Sequence, residues 1–451
     1  MTSLIESKIT MGVSTISNSS WRYFVNGRIA SVINSFSPFY DRVIQLTPKK
    51  EESHALLAQI ECSEKYIYGQ DLEHLKPESA TDANLYLMNG NLNYSYDIQL
   101  ELRILHKIMN RESRIMGVVY NPYISVLFKL AHKFKLIKGN CPDVFLTRAS
   151  LKAIAKLSDF EIVRTRNCVS FPFRIFGFGV MLDALFRSLP FINVFSAASV
   201  YVFRPIKKIS ERKKISIVIP ARNEAGNIEN ALERIPKLNA DVEIIFIEGN
   251  STDTTWNEIQ RVQKEWSDRY NILIDQQTGK GKANAVEKGF NIATGDILTI
   301  LDADLTMPPE KLPYFLDSYL KGHGDFINGS RLIYPMEGAA MRTLNKFGNI
   351  FFSKALSFVL QTRLTDSLCG TKLFSSRTYK RFLAWREKFG KHDPFGDYDM
   401  IFPACVLCLG VQDVPIRYLD RSYGQTNISR FTDGLRLLKM TLLAFFKIRI
   451  K

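Results

Sequence analysis

At 451 residues, with 46% hydrophobic and 23% charged positions, the chain is long enough for two domains and too apolar for global disorder. Sixty Lys and Arg against 45 Asp and Glu leave a net charge of +15, which points to an anionic partner: a phosphorylated substrate, phospholipid headgroups or nucleic acid. The six cysteines form no disulfide framework, and the opening MTSLIESKITMGVS lacks an apolar signal-peptide core, so neither a disulfide scaffold nor a leader is expected.

In chain order, 21–36 reads as a helix and 43–46 as a short strand. NLYLMNG from Asn84 is a strand ending in a turn, and 97–109 has helical apolar spacing. Residues 114–120 read as a strand, 124–134 as a basic amphipathic helix, and Thr147 precedes a helix through Leu157. FEIVR (160–164) and SVYVF (199–203) are further strands. Strands alternating with helices predict an α/β layer around a mostly parallel sheet. The apolar stretch 170–198 reads as a packed helical insert or a surface on a membrane interface. The longest uncharged apolar-rich run, 188–203, is broken by Pro190 and falls short of the roughly 18–20 apolar residues that span a bilayer, so no transmembrane helix is expected.

The strand LYLMNGNLNY, the helices at DIQLELRIL and LTRASLKAIAKL, and the strands DFEIVRTR and ASVYVFRP resemble the later part of a class I S-adenosylmethionine-dependent methyltransferase domain. Where such enzymes carry a glycine-rich loop after their first strand, this chain has RVIQLTPKKEESH. No G-x-G occurs in the first 170 residues, so the backbone lacks the glycines that let a cofactor approach. The expectation is a degenerate, non-catalytic methyltransferase-like, Rossmann-type domain over 1–208. The basic, Pro-containing linker RPIKKISERKK (204–214) marks the boundary, and a second domain runs over 209–451.

The second domain opens with the apolar strand ISIVI (215–219), where Pro220 is expected to stop the ladder and Asn223 or Asn227 to cap the next helix. VEIIFI (242–247) is a second buried strand. Gly249 turns the chain, and Ser251, Thr252 or Asp253 caps the helix that follows. After a strand at 272–274 comes GKGKANAVEKGF, a basic glycine loop entering a helix. Then comes ILTILDADLTMPP, a buried strand with two carboxylates two positions apart at its exit. In extended chain Asp302 and Asp304 project to the same side, and such hard oxygen ligands suit Mg2+ or Mn2+. Gly279 and Gly281 allow Lys280 and Lys282 close approach to phosphate, and Arg331 offers a planar fork for phosphate oxygens. Cys405 and Cys408, in the apolar run FPACVLCLGV, read as buried helix packing, and His392 as a structural loop residue.

The motifs IVIPARNE, IIFIEGNSTDTT, GKGKANAVEKGF, LDADLTMPPE, NGSRL, DSLCGTKLF, DPFGDYDM and RSYGQTNISRF occur in the order of a family 2 glycosyltransferase with the GT-A fold. Within it the domain is most similar to dolichyl-phosphate mannose synthases and related polyprenyl-phosphate glycosyltransferases. The resemblance puts Pro220, Arg222 and Glu224 against the nucleotide and Glu248 at the base or ribose. It puts Lys280 and Lys282 at the diphosphate, Asp302 at ribose or metal, and Asp304 on the metal. Arg331 becomes a phosphate contact, Asp366 a shaper of the acceptor site, and Asp397 and Asp399 the acceptor-side carboxylates. A carboxylate there takes the proton of a hydroxyl acceptor, whereas a phosphate acceptor, already ionised, needs no base.

Two departures stand out. Glu248-Gly249 replaces a pair of aspartates, leaving uracil or guanine open. The closing R-x-x-G-x-S-K appears as Arg421, Gly424, Thr426 and Asn427, with Arg430 as the remaining candidate for the missing lysine's phosphate contact.

The resemblance implies an inverting sugar transfer from a nucleoside-diphosphate-sugar to a lipid-linked or glycan acceptor, foremost a polyprenyl phosphate. The alternatives are a glycolipid or polysaccharide hydroxyl acceptor, a non-catalytic nucleotide-binding partner protein, and methyl transfer. Nucleic acid is not an expected partner, and oligomeric state stays open. Residues 341–360 and 433–451 mix apolar with basic positions, as helices in an anionic lipid interface do. The expected location is therefore cytoplasmic, peripheral at the inner face of the membrane.

Overall fold

The computed structural model describes residues 21–46, 55–69, 71–134, 141–169, 186, 196–335, 343–390, 393, 396–421, 423 and 430–450. The chain divides into two units. The first comprises Met1–Lys207 with Val406–Cys408 and Phe446–Lys451, and the second Lys208–Cys405 with Leu409–Phe445.

The first unit is built on a six-stranded sheet of β1 (Arg42–Leu46), β2 (Glu64–Tyr68), β3 (Asn84–Asn89), β4 (Arg114–Tyr120), β5 (Phe160–Cys168) and β6 (Ala198–Pro205), in the order β2-β1-β3-β4-β6-β5. Strands β1 to β4 pair in parallel, and β6 runs antiparallel to both β4 and β5. Its helices are α1 (Trp21–Ile33), α2 (Ala55–Gln59), α3 (Asn91–Tyr94), α4 (Ile98–Ile108), α5 (Ser125–Lys133) and α6 (Arg148–Leu157). Strand β3 is buried along its whole length, as a central parallel strand covered on both faces must be. Asp97 caps α4 by accepting from the Leu100 N–H, and Thr147 caps α6 by accepting from the Ser150 N–H. The loop after β1 and nearly all of the apolar stretch 170–195 lie outside the described residues.

The second unit carries a seven-stranded sheet: β7 (Lys214–Ala221), β8 (Asp241–Glu248), β9 (Asn271–Gln276), β10 (Ile297–Ile300), β11 (Phe326–Ser330), β12 (Lys372–Ser375) and β13 (Val411–Pro415). Their order is β13-β11-β12-β10-β7-β8-β9, and only β12 runs against its neighbours. Around it lie α7 (Ile228–Arg234), α8 (Thr255–Glu265), α9 (Lys282–Ile292), α10 (Leu312–Leu320), α11 (Thr343–Leu360), α12 (Ser376–Phe389), α13 (Tyr398–Val406) and α14 (Arg430–Ala444). From β7 the sheet grows one way through β8 and β9 and the other way to β10. The strand order therefore reverses between β7 and β10, and a crevice opens there at their C-terminal ends.

Pro220 does not stop the ladder: β7 pairs with β8 through Ala221. The Val218 carbonyl accepts from the Leu301 N–H on the β10 side, while Ala221 accepts from Gly249 on the β8 side. Alternation turns Pro220 toward β10, which has already ended at Ile300, so its missing N–H costs no bond. Asn227 occupies the N-cap of α7, but its amide donates to Glu224 instead of capping. Thr254 is the N-cap residue of α8, and the Asp253 carboxylate one position earlier accepts from the Thr255 N–H. Cys405 is buried in α13, Cys408 is buried just beyond it, and neither is in a disulfide.

Helix α9 lies on β7 at Gly289. A Cβ there would sit 2.4 Å from Val218 Cγ1 and 3.3 Å from Ile247 Cγ1. Gly289→Ala is expected to destabilise by about 1–3 kcal/mol, because overpacking two β-branched residues outweighs the helix-propensity gain of roughly 1 kcal/mol. A lower urea midpoint at unchanged m-value would register it.

Candidate active site

The crevice is lined by the chain leaving β7, β8, β10 and β11 and by the turns beside β12. Beyond β10 the backbone closes a turn, with the Leu305 N–H donating to the Asp302 carbonyl and Leu305 at φ 52°. Asp302 and Asp304 thus diverge from the extended geometry expected of them. The Asp302 carboxylate is ion-paired with the Lys282 ammonium at the start of α9. Asp304 accepts from the Thr306 N–H and hydroxyl through Oδ1 (3.2 and 2.9 Å), and its Oδ2 meets Arg421 Nη2 at 2.6 Å.

Asp302 is held ionised by its surroundings. Burial alone would raise Asp302 and lower Lys282, but their mutual attraction wins, so the carboxyl falls below and the ammonium rises above its ordinary range. Lys282 also feels Asp397 and Asp304, while Lys372 and Arg331 act on Asp302. The turn before β12 brings Gly370 against this pair. A Cβ on it would lie 2.2 Å from both Asp302 Oδ2 and Lys282 Nζ, so any side chain there would push the pair aside.

Arg331, just beyond β11, is clamped by the fully buried Asp366. Nε donates to Oδ2 at 2.7 Å and Nη2 to Oδ1 at 2.9 Å, and the Arg331 N–H adds a third bond at 3.1 Å. Asn349 Nδ2 and the Leu368 N–H donate to the same carboxylate, both at 2.9 Å. Burial would raise Asp366, yet the guanidinium and these donors hold it down at about 2. The Arg331 guanidinium also lies 5.2 Å from the Tyr418 ring centre. Nη1 has no partner among the described residues and is the nitrogen left for a ligand.

Asp397, at the entrance to α13, is ion-paired with Lys372 Nζ, which also donates to the Cys369 carbonyl. Lys372 is wholly buried, and Asp397 and Asp399 are nearly so. Sequence reasoning did not single out Lys372; its signal was a lysine opening the otherwise apolar strand KLFS.

Glu224 is buried beside Asn227, which donates to its Oε2 at 2.7 Å, and lies 3.8 Å from Arg421 Nη1. Burial, reinforced by the nearby Asp304 charge, pushes its carboxyl up to about 7. Glu248 is turned inward, its Oε1 accepting from the Ser251 N–H and its Oε2 from Nε2 of Gln276 at the end of β9. Pro220 and Arg222 stand at the end of β7, with Arg222 exposed, and Lys280 is exposed in the loop before α9. Arg421 sits on Asp304, and Tyr423 packs its ring over Gly226. Thr426 and His392 lie outside the described residues. Arg430 is the first residue of α14.

The structure therefore assembles Asp302, Asp304, Lys282, Arg331, Asp366, Asp397, Glu224 and Arg421 around one sheet edge. It adds Lys372 and Gly370. Among the described residues no cluster of three or more Asp, Glu, His or Cys is placed to hold a metal ion. The charge pattern still fits a divalent cation: Asp302 and Asp304 each already bind a positive group, through oxygens of the hard kind Mg2+ and Mn2+ prefer.

Residues 216–385 match the family described as Glycosyl transferase family 2, so the second unit carries a domain of that family. A dolichol-phosphate mannosyltransferase of Pyrococcus furiosus is 35% identical over 123 residues, covering 27% of this chain and 34% of the relative. An undecaprenyl-phosphate 4-deoxy-4-formamido-L-arabinose transferase of Photorhabdus laumondii is 31% identical over 147 residues, covering 32% and 44%. The chain thus spans less than half the length of these two curated relatives. Among solved structures, glucosyl-3-phosphoglycerate synthase from Mycobacterium tuberculosis in complex with Mn2+, UDP-glucose and phosphoglyceric acid is 17% identical at a TM-score of 0.38, covering 55% and 88%.

Proposed function

We propose that the second unit transfers a sugar, with inversion, from a nucleoside-diphosphate-sugar to a membrane-associated acceptor, foremost a polyprenyl phosphate. The observation that carries this reading is the convergence of Asp302, Asp304, Lys282 and Arg331 at the switch point of the sheet. The two relatives named for lipid-phosphate acceptors support the choice of acceptor. Asp302 and Asp304 would hold Mg2+ or Mn2+, which supplies charge neutralisation to a departing diphosphate. Lys282 and Arg421, which neutralise those carboxylates in the structure, are then placed to turn to phosphate oxygens. Arg331, oriented by Asp366, offers Nη1 to a phosphate, and Asp397 orients the acceptor.

A hydroxyl acceptor is the second reading. It is favoured by the buried Lys372–Asp397 ion pair, which fixes a carboxylate on the side of the site where a hydroxyl acceptor would need a base.

Membrane contact is supported by exposed apolar residues on two helices. Phe347, Phe351 and Phe358 of α11 are 65%, 56% and 46% exposed, and Leu435 and Leu442 of α14 are 69% and 52% exposed. Leu356 of α11 is buried, so that helix serves both core and surface. No helix among the described residues is long and apolar enough to cross a membrane. The proposed location is peripheral, at the cytoplasmic face. For the first unit we read a methyltransferase-like fold without methyl transfer, on its mostly parallel sheet and the absence of any G-x-G in residues 1–170. Saturable S-adenosylmethionine binding would overturn that.

The deciding assay offers UDP- and GDP-sugars with Mg2+ or Mn2+, with and without a short polyprenyl phosphate. Transfer that requires the lipid phosphate is the expected result. Donor hydrolysis indifferent to the lipid would favour the hydroxyl acceptor, and no turnover of any donor would sink the transferase reading.

A further inference from the structure

We propose that helix α5 of the first unit is a membrane-interface element that seats the chain on an anionic lipid surface. Three apolar residues of the helix and one on either flank face solvent: Val126 at 66%, Leu127 at 67% and Leu130 at 43% exposure, with Tyr123 at 71% in the 3-10 turn before it and Phe134 at 68% at its C-cap. At about 100° per residue they fall within one arc of roughly 100°. The opposite side of the helix is the one that packs. There the Phe128 ring lies 5.2 Å from Tyr120, 6.4 Å from Phe145 and 5.9 Å from His132. The outward stripe is therefore not a misfolded core face; the helix has a separate inward face that anchors it.

Charge identifies the occupant. Lys129 and Lys133 are exposed and border the stripe on one side. No Asp or Glu occurs in the sequence between Glu112 and Asp143, so the segment that carries the helix has only basic charges. An apolar stripe edged by lysines, with aromatic residues at both ends, matches the acyl–headgroup boundary of an anionic bilayer, where an interfacial helix sinks about 5–10 Å. A protein partner fits less well. A stable interface needs about 800 Å² on each side, and a single stripe on a nine-residue helix supplies only part of that.

The test is partition of the full-length chain onto phosphatidylcholine vesicles, with and without phosphatidylglycerol. Four proteins are compared: the parent, Leu127→Glu/Leu130→Glu, Lys129→Gln/Lys133→Gln, and Phe347→Glu/Phe351→Glu in the second unit. All these side chains are exposed, so far-UV dichroism and thermal midpoint should match the parent and certify folding. The Leu127→Glu/Leu130→Glu protein should partition about tenfold more weakly or worse. The lysine variant should lose the preference for phosphatidylglycerol. In a further protein, Leu127→Trp, acyl chains carrying bromine should quench fluorescence beyond that of the parent. Parental partition by the glutamate variant, or no added quenching in the Leu127→Trp protein, overturns the proposal. So does a glutamate variant that changes only self-association, which would assign the stripe to a second copy. None of these readouts involves a sugar donor, so they stand apart from the transferase assay.

Discussion

Asp304→Asn is expected to lower sugar transfer by about a hundredfold or more while leaving the fold intact. The substitution is selective because Asp304 has two jobs on two oxygens. Oδ1 accepts from the Thr306 N–H and hydroxyl, which an asparagine carbonyl oxygen reproduces, so the turn after β10 keeps its bonds. Oδ2 carries the charge that meets Arg421, and that charge is what a divalent ion would use. Removing it forfeits several kcal/mol of transition-state stabilisation, and each 1.4 kcal/mol is roughly tenfold in rate. Mn2+ titration followed by electron paramagnetic resonance should weaken in parallel. Arg421→Ala separates the two roles: it should retain Mn2+ binding and lose turnover. An Asp304→Asn enzyme with parental turnover, insensitive to chelator, would refute the metal-assisted reading.

Much of this site was legible in the sequence because its strands announce themselves. ISIVI, VEIIFI and ILTI are continuous apolar runs, as strands buried on both faces must be, and the carboxylates stand where such a run ends. What pairing alone decides was not legible. Lys372 opens β12, which runs antiparallel between β10 and β11, and only that register sinks its ammonium beside Asp397. A lone lysine at a strand edge reads as solvated. The extended geometry expected for Asp302 and Asp304 failed because Leu305, at positive φ, closes a turn that periodicity does not encode. Glu248 reads as a ligand contact by position in its motif, and that its carboxylate also accepts from the Ser251 N–H and the Gln276 amide was not legible from spacing. In the first unit, β3, β4, α4 and α6 were found from apolar runs and spacing, while the caps at Asp97 and Thr147 emerged only in the structure.

The Arg331–Asp366 pair shows how the site depends on a contact that sequence separation hides. The partners are 35 positions apart and meet through two side-chain bonds, with the Arg331 N–H, Asn349 and the Leu368 N–H completing the carboxylate's shell. Asp366→Asn is expected to destabilise by about 3–5 kcal/mol, because it leaves a guanidinium whose side chain is 12% exposed without a counter-charge. The double variant Arg331→Met/Asp366→Leu should recover much of that loss, since an apolar pair leaves no buried charge uncompensated. It should still be inactive, having no phosphate contact. Urea midpoints at constant m-value report the stability, and turnover reports the loss that packing does not restore.

The pH dependence carries the same sign. Asp366 sits at about 2 in the folded chain, against 3.8 for the free side chain. Its contribution is full above about pH 4 and fades as pH falls through 2, on the order of 2 kcal/mol in all. In Arg331→Met/Asp366→Leu that portion of the acid sensitivity should vanish. An acid-unfolding profile of the double variant that coincides with the parent's would show that the pair does not hold this edge of the site together.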